Sequence, residues 1–343
     1  MRRAAVLLAV IVALSAGCGT GGTTGSATGS ATTSAPAPTG SWDELRGRLT
    51  ALDADVGMLA ARVGDDGDCE PVAELDPGEP RPMASIFKLY VLGAVAAAVD
   101  AGALSWSDPL VVNGGLRSLP SGELQDRPDG SSVPVGQAAA AMIRISDNTG
   151  TELLMDRVGR GAVEDAMTAM GHSRPELNRP FLTTREFFTV GWGRTGLRDD
   201  WARSGAAAQA RILATLPGGP LQVTGRDIVD PAWDSGVDWF GSALDVCAAQ
   251  AALHASTDPE LRAVLDQNRG VTIDRAEWPY VSFKGGSAPG VLTASWYGER
   301  ADGERYVFVM QAASPTAAAL ADQDAFFELG EQAFALLAGH HGP

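Results

Sequence analysis

The chain has 343 residues, 45% of them hydrophobic and 20% charged, which is a globular composition and excludes a fibrous or wholly disordered chain. Its 42 acidic residues outnumber 26 basic ones for a net charge of −16, so the basic surface that phosphate contact requires is missing and nucleic acid is excluded as a partner. The four histidines and three cysteines show no metal-ligand spacing, and no metal or other cofactor is expected.

Taken in order, Met1-Arg2-Arg3 is a basic start and Ala4 to Leu14 an apolar run too short to span a membrane. Leu14-Ser15-Ala16-Gly17-Cys18 resembles the lipobox of bacterial lipoproteins. That resemblance implies a signal peptide over 1–18 and an acylated Cys18. It also implies membrane attachment through lipid at the outer face of the cytoplasmic membrane. Residues 19–40 are Gly, Thr, Ser, Ala and Pro without charge, a flexible linker that cannot bury a core. The body, 41–343, fits one large or two interlocked domains, and no later apolar run reaches a spanning length.

Ser41-Trp42-Asp43-Glu44 has capping-box spacing and predicts a helix to about Asp53. Asp55 to Val63 and Cys69 to Leu75 read as strands joined by the turn 64–68. Pro80 and Pro82 stop helical structure, and an Ala-, Val- and Leu-rich run from Met83 to about Gly102 predicts a buried helix. Val135 to Ile143 is a further helical run, followed by Ile145-Ser146-Asp147-Asn148-Thr149. Tyr280 to Gly285, Val291 to Tyr297 and Arg305 to Ala312 are strand-like, with a turn at 301–304. A helix from about Ala317 to Leu337 closes the chain. Strands at both ends with helices between them predict an α+β fold: one antiparallel sheet built from 41–109 and 256–338, with a helical part over about 110–255.

Ser85-Ile86-Phe87-Lys88 is the stretch with the clearest chemistry. Ser85 falls at a predicted helix N-terminus and Lys88 one turn later, so the hydroxyl and the amine share a helix face. A buried amine loses pKa and can activate a serine beside it. Of the 26 basic residues only Lys88 and Lys284 are lysines. Arg cannot give up its proton in a protein whereas Lys can shift its pKa, so two lysines mark two places where a titratable or compact amine is wanted. A surface lysine left by codon bias is the bland alternative, and it fits an apolar helix poorly. Ser146-Asp147-Asn148 and Lys284-Gly285-Gly286-Ser287 are weak signals singly. Such triplets cap helices, and glycines in a strand let a ligand or another backbone come close.

Together, in this order, the three stretches resemble the class A β-lactamase and penicillin-binding-protein superfamily over about residues 41 to 338. The resemblance implies a three-layer αβα fold with an inserted helical domain. It implies Ser85 as nucleophile, Lys88 as candidate base and Ser146 as relay to the leaving nitrogen. Asn148, Lys284, Gly286 and Ser287 would bind substrate, and the N–H groups of Ser85 and Ser287 would form the oxyanion hole. Asp147 and Asn178 would be structural near the site. The implied substrate is a small molecule or peptide: a β-lactam, a D-Ala-D-Ala-like peptide or an ester. A monomer is expected.

The chain departs from the family in three places. Arg174-Pro175-Glu176-Leu177-Asn178 puts Arg174 where the family has its deacylating Glu, leaving Glu176 or Glu186 as substitutes. Gly285 stands where the family has Thr or Ser. About fifty extra residues, 183–240, carry Trp192, Trp201, Trp233 and Trp239, which read as that segment's core rather than a ligand groove. Acylation with slow deacylation is therefore expected. A D-Ala-D-Ala carboxypeptidase or esterase, and a non-catalytic lipoprotein binding cell-wall peptides or β-lactams, are the alternatives. With Cys18 assigned to lipid, Cys69 and Cys247 could form one bridge, which the sequence leaves open.

Overall fold

The computed structural model describes residues 40–340. The signal segment, Cys18 and the linker up to residue 39 lie outside them. The elements in chain order are α1 (Trp42–Thr50), β1 (Asp55–Val63), β2 (Cys69–Leu75), β3 (Arg81–Pro82), α2 (Lys88–Asp100), β4 (Pro109–Val111), β5 (Ser132–Pro134), α3 (Val135–Arg144), α4 (Asn148–Val158) and α5 (Arg160–Ala169). They continue with α6 (Thr184–Trp192), α7 (Leu197–Ala202), α8 (Ala206–Ala214), β6 (Phe240–Gly241), α9 (Ala243–His254), α10 (Pro259–Leu265), β7 (Tyr280–Ala288), β8 (Val291–Glu299), β9 (Arg305–Ala313) and α11 (Gln323–Ala338).

Five strands form an antiparallel sheet in the order β2-β1-β9-β8-β7, so the first two strands of the chain pair with the last three, as predicted. Both faces are covered. Side chains alternate along a strand, and here each set finds an apolar partner. Met58, Ala60, Trp296, Phe308 and Met310 pack with Leu45 and Leu49 of α1 and Phe326, Leu329 and Phe334 of α11. Leu59, Ala61, Val307 and Val309 face the other way, with Leu89, Val91 and Leu92 of α2 and Val246 and Cys247 of α9. That double burial is why the strands read as continuous apolar runs rather than alternating ones.

The two terminal helices differ from expectation at their ends. α1 stops at Thr50, and Ser41 caps it by accepting the Glu44 N–H at 3.1 Å. The last segment opens with a separate 3₁₀ turn over Ala317–Leu320, and α11 begins only where Asp322 accepts the Ala325 N–H. α9, read from sequence as the end of the helical part, packs on the sheet beside α2. It is apolar on nearly every face, so its pattern says that it is buried but not against what.

Cys69 at the start of β2 and Cys247 in α9 are joined by a disulfide across a sequence separation of 178 residues. The four tryptophans of 183–240 each donate the indole N–H to a backbone carbonyl: Trp192 to Asp230, Trp201 to Gly236, Trp233 to Ser314 and Trp239 to Leu182. Trp201 and Trp239 are buried in the hydrophobic core and Trp192 packs against it, as the core reading expects, whereas Trp233 belongs to neither core cluster.

Candidate active site

The prolines before Ser85 hold the chain extended as β3, which pairs with β6. Arg81 is buried there and its guanidinium is gripped by Asp55 at 2.8 and 3.1 Å and by the carbonyls of Asp76 and Glu79. Met83 N–H then donates to Trp239 O at 2.7 Å and Ala84 N–H to Asp238 Oδ1 at 2.8 Å. Ala84 has φ +42°, a left-handed conformation that a residue with a β-carbon adopts at a cost. Residues Ala84–Phe87 form a 3₁₀ turn, and α2 starts at Lys88 rather than before Ser85.

Lys88 is fully buried. Its Nζ donates to Ser146 O at 2.6 Å, Ser146 Oγ at 3.0 Å and Asn148 Oδ1 at 2.6 Å. Among the described residues no hydrogen bond joins it to Ser85. Burial drives the Lys88 pKa well below that of an ordinary lysine, and the Lys284 charge adds to this; Asp147 and Glu152 oppose it. Lys284 projects from β7 and donates to the same Ser146 Oγ at 3.0 Å and to Gly285 O at 2.5 Å. Its burial lowers its pKa to about 7.

Ser146 itself has φ +57°. Asp147 fixes that loop. Its carboxylate caps α4 through the Gly150 N–H and accepts the Glu123 and Leu124 N–H groups at 2.7 and 2.9 Å. Asn148 divides its amide, giving Oδ1 to Lys88 and donating Nδ2–H to Leu119 O. The third stretch closes on the first at Gly286. A β-carbon there would sit 2.6 Å from Ser85 N and 2.7 Å from Met83 O, so the strand edge meets the serine turn with no room for a side chain. Ser287 follows, exposed, near the end of β7. At Gly285 a β-carbon would lie 2.7 Å from the Phe283 ring, which packs with Trp296 and Phe327. A side chain at this position would thus have to displace the Phe283 ring.

The loop after α5 carries the remaining expected residues. Asn178 is buried, its Oδ1 accepting Phe240 N–H and its Nδ2–H donating to Phe240 O, both at 2.7 Å. Arg174 and Glu176 pair with each other at 3.6 Å in solvent. Glu186 completes a capping box with Thr183 on α6 and accepts from Arg160 at 2.6 Å.

Glu152 and Asp238 are among the buried carboxyls that escaped the sequence reading. Glu152, one turn past Asn148 on α4, accepts the Thr184 hydroxyl at 2.7 Å and the Arg185 N–H at 2.9 Å, and its burial raises its pKa. Asp238 accepts Ala84 and Trp239 N–H, and burial raises its pKa to about 7. Neither belongs to a spaced motif. The one available signal is that Asp238 stands in Val237-Asp238-Trp239-Phe240, an apolar setting where a lone carboxylate is unusual.

A serine turn, a buried lysine pair sharing one hydroxyl and a glycine strand edge, set between an antiparallel sheet and a helical part, define a β-lactamase-like serine hydrolase. The chain belongs to the Beta-lactamase enzyme family, whose model matches residues 44–221. Solved structures share the fold. PBP-A is 16% identical, with 87% of this chain and 96% of that one covered and a TM-score of 0.57. The β-lactamase of Sphaerobacter thermophilus DSM 20745 is 20% identical, covering 88% and 99%, with a TM-score of 0.59. A point mutant of the class A β-lactamase of the last common ancestor of Gram-negative bacteria is 16% identical, covering 88% and 99%, with a TM-score of 0.59. A search of curated proteins finds no match.

Proposed function

We propose that this protein is a lipid-anchored acyl-serine hydrolase that β-lactams acylate readily at Ser85 and that deacylates slowly. The observation that carries the reading is the convergence of Lys88 and Lys284 on Ser146 Oγ, with Gly286 against the Ser85 turn. In this reading neutral Lys88 takes the Ser85 proton as Oγ attacks the carbonyl carbon. Ser146 passes a proton to the leaving nitrogen as the C–N bond breaks. The N–H groups of Ser85 and Ser287 hold the oxyanion, a contact typically worth about 10²–10³ in rate per donor. Asn148 and Lys284 orient the amide and the carboxylate of the substrate. Slow release follows from Arg174, which cannot act as a base, and from the engagement of Glu176 and Glu186 by arginines. Cys18 and the linker would hold the enzyme at the outer face of the cytoplasmic membrane.

Intact-mass measurement after mixing with a penicillin tests this. A persistent adduct on the wild type and none on Ser85→Ala supports it, whereas fast hydrolysis without an adduct contradicts it. Arg174 at the position of the deacylating Glu, together with the added segment, favours one alternative, a D-Ala-D-Ala carboxypeptidase or esterase. Side-by-side hydrolysis of a chromogenic cephalosporin, a simple ester and a D-Ala-D-Ala peptide separates the two. Ligand binding that survives Ser85→Ala without any turnover in the wild type would point to a non-catalytic binder.

A further inference from the structure

The Ser85 turn is held from a distance in sequence. Three contacts reach it from the last residues of the added segment. Trp239 O accepts the Met83 N–H, Asp238 Oδ1 accepts the Ala84 N–H, and the Trp239 ring stacks on Phe87 with centroids 3.6 Å apart. Asn178 bonds Phe240 through both its amide atoms, so the segment's end is itself anchored. Of the three, only the Asp238 contact acts on Ala84, the residue with φ +42° directly before the nucleophile. A left-handed conformation at an alanine persists only where its surroundings over-determine it. Asp238 is also anomalous. It is buried, and its Oδ2 has no hydrogen-bond partner among the described residues. A buried carboxyl oxygen left unpaired is costly and calls for an explanation.

We propose that Asp238 is a positioning residue for acylation: by holding Ala84 left-handed it sets the Ser85 hydroxyl and N–H against the Gly286 strand edge. The added segment is then part of the acylating machinery. Only the kinetic half of this claim rests on the acyl-serine reading; the conformational half does not.

The test uses five variants of the whole exported body. D238A and D238L both remove the acceptor, and D238L leaves no cavity at this buried position in case D238A does not fold. D238N keeps an oxygen that can accept both N–H groups. A84G/D238A and A84G/D238L supply a residue that enters the left-handed region freely. Stopped-flow acylation by a chromogenic cephalosporin is split into its non-covalent binding constant and its acylation rate. The acceptor-less variants should lose roughly 30-fold or more in acylation rate, with binding changed less than about threefold, because small misplacements of a nucleophile act on the chemical step. D238N should stay within about fivefold of wild type, and A84G should restore at least about tenfold to D238A or D238L. Acylation by D238L at the wild-type rate, or an equal loss with and without A84G, would overturn the proposal. Crystal structures of D238L and D238N give the second readout: Ala84 should leave positive φ in the first and keep it in the second. If the wild type forms no adduct with any probe, the acyl-serine reading fails. Retention of positive φ in D238L then independently ends the positioning claim.

Discussion

Lys88 and Lys284, one from the central helix and one from the far strand of the sheet, aim their amines at a single oxygen, Ser146 Oγ, at 3.0 Å each. Both are buried. Two ammonium groups around one hydroxyl repel each other, and burial weakens the screening between them. Burial and its neighbour's charge both act against the Lys88 proton, and burial lowers the Lys284 pKa to about 7, so the pair sheds its protons in two steps. The site therefore passes through a state with one neutral and one charged amine, which suits a base beside an anion anchor.

A bell-shaped acylation profile is the expected consequence. Its acid limb reports the first proton lost by the lysine pair, which frees the base, and its alkaline limb the second, with the Lys284 pKa lowered to about 7. The apparent values belong to the pair rather than to either lysine. Second-order acylation constants between pH 5 and 9 check this. A profile that keeps rising through pH 9 would sink the assignment of Lys284 as the charged partner.

Lys284→Met should stabilise the fold while impairing acylation. The folded-state pKa, about 7, lies below the ordinary lysine value of 10.5, so the unfolded chain binds more protons between those values. Stability of the wild type thus rises with pH across that window, and the burden of the buried charge is full below it. Removing the amine should raise Tm at pH 6 by several degrees, at about 2–4 °C per kcal/mol for a domain of this size. The gain should shrink toward pH 10. Melting curves at the two pH values decide it.

The disulfide should be worth about 5 kcal/mol in the chain-entropy account, given the 178-residue separation it spans. Reductant should lower the wild-type Tm by roughly 10 °C or more and leave the Cys69→Ser/Cys247→Ser variant unmoved. Thiol titration of denatured, unreduced protein should find neither cysteine free.

Glu186→Ala should cost about 1–2 kcal/mol in stability, from the lost capping box and the half-buried pair with Arg160. Adduct lifetime should change less than about threefold. A much longer lifetime would show that this carboxylate drives deacylation after all.

Much of the framework is legible in the residues alone. β1 and β2 begin and end where the turn residues of 64–68 say they should, because Gly and Asp leave few alternatives there. The lysines stand out because arginine fills every other cationic position. What stays hidden is long-range. Asp238 meets Ala84 across 154 positions and Glu152 meets Thr184 across 32, and neither carries a local pattern. The start of α2 falls later than expected because an apolar run does not distinguish a 3₁₀ turn from the first turn of an α-helix. β7 runs three residues past its expected end, since Gly285-Gly286-Ser287 looks like a strand end until the pairing with β8 is seen.

The bond between Cys69 and Cys247 also bears on how copies of this protein meet. β2 is the outermost strand on its side of the sheet, and such a strand offers unpaired backbone groups to any neighbouring chain. The crosslink pins the start of that rim to a buried helix, and Pro71 with the charges of Glu70 and Glu74 lines the rest. Sheet-to-sheet aggregation is thereby resisted along that rim.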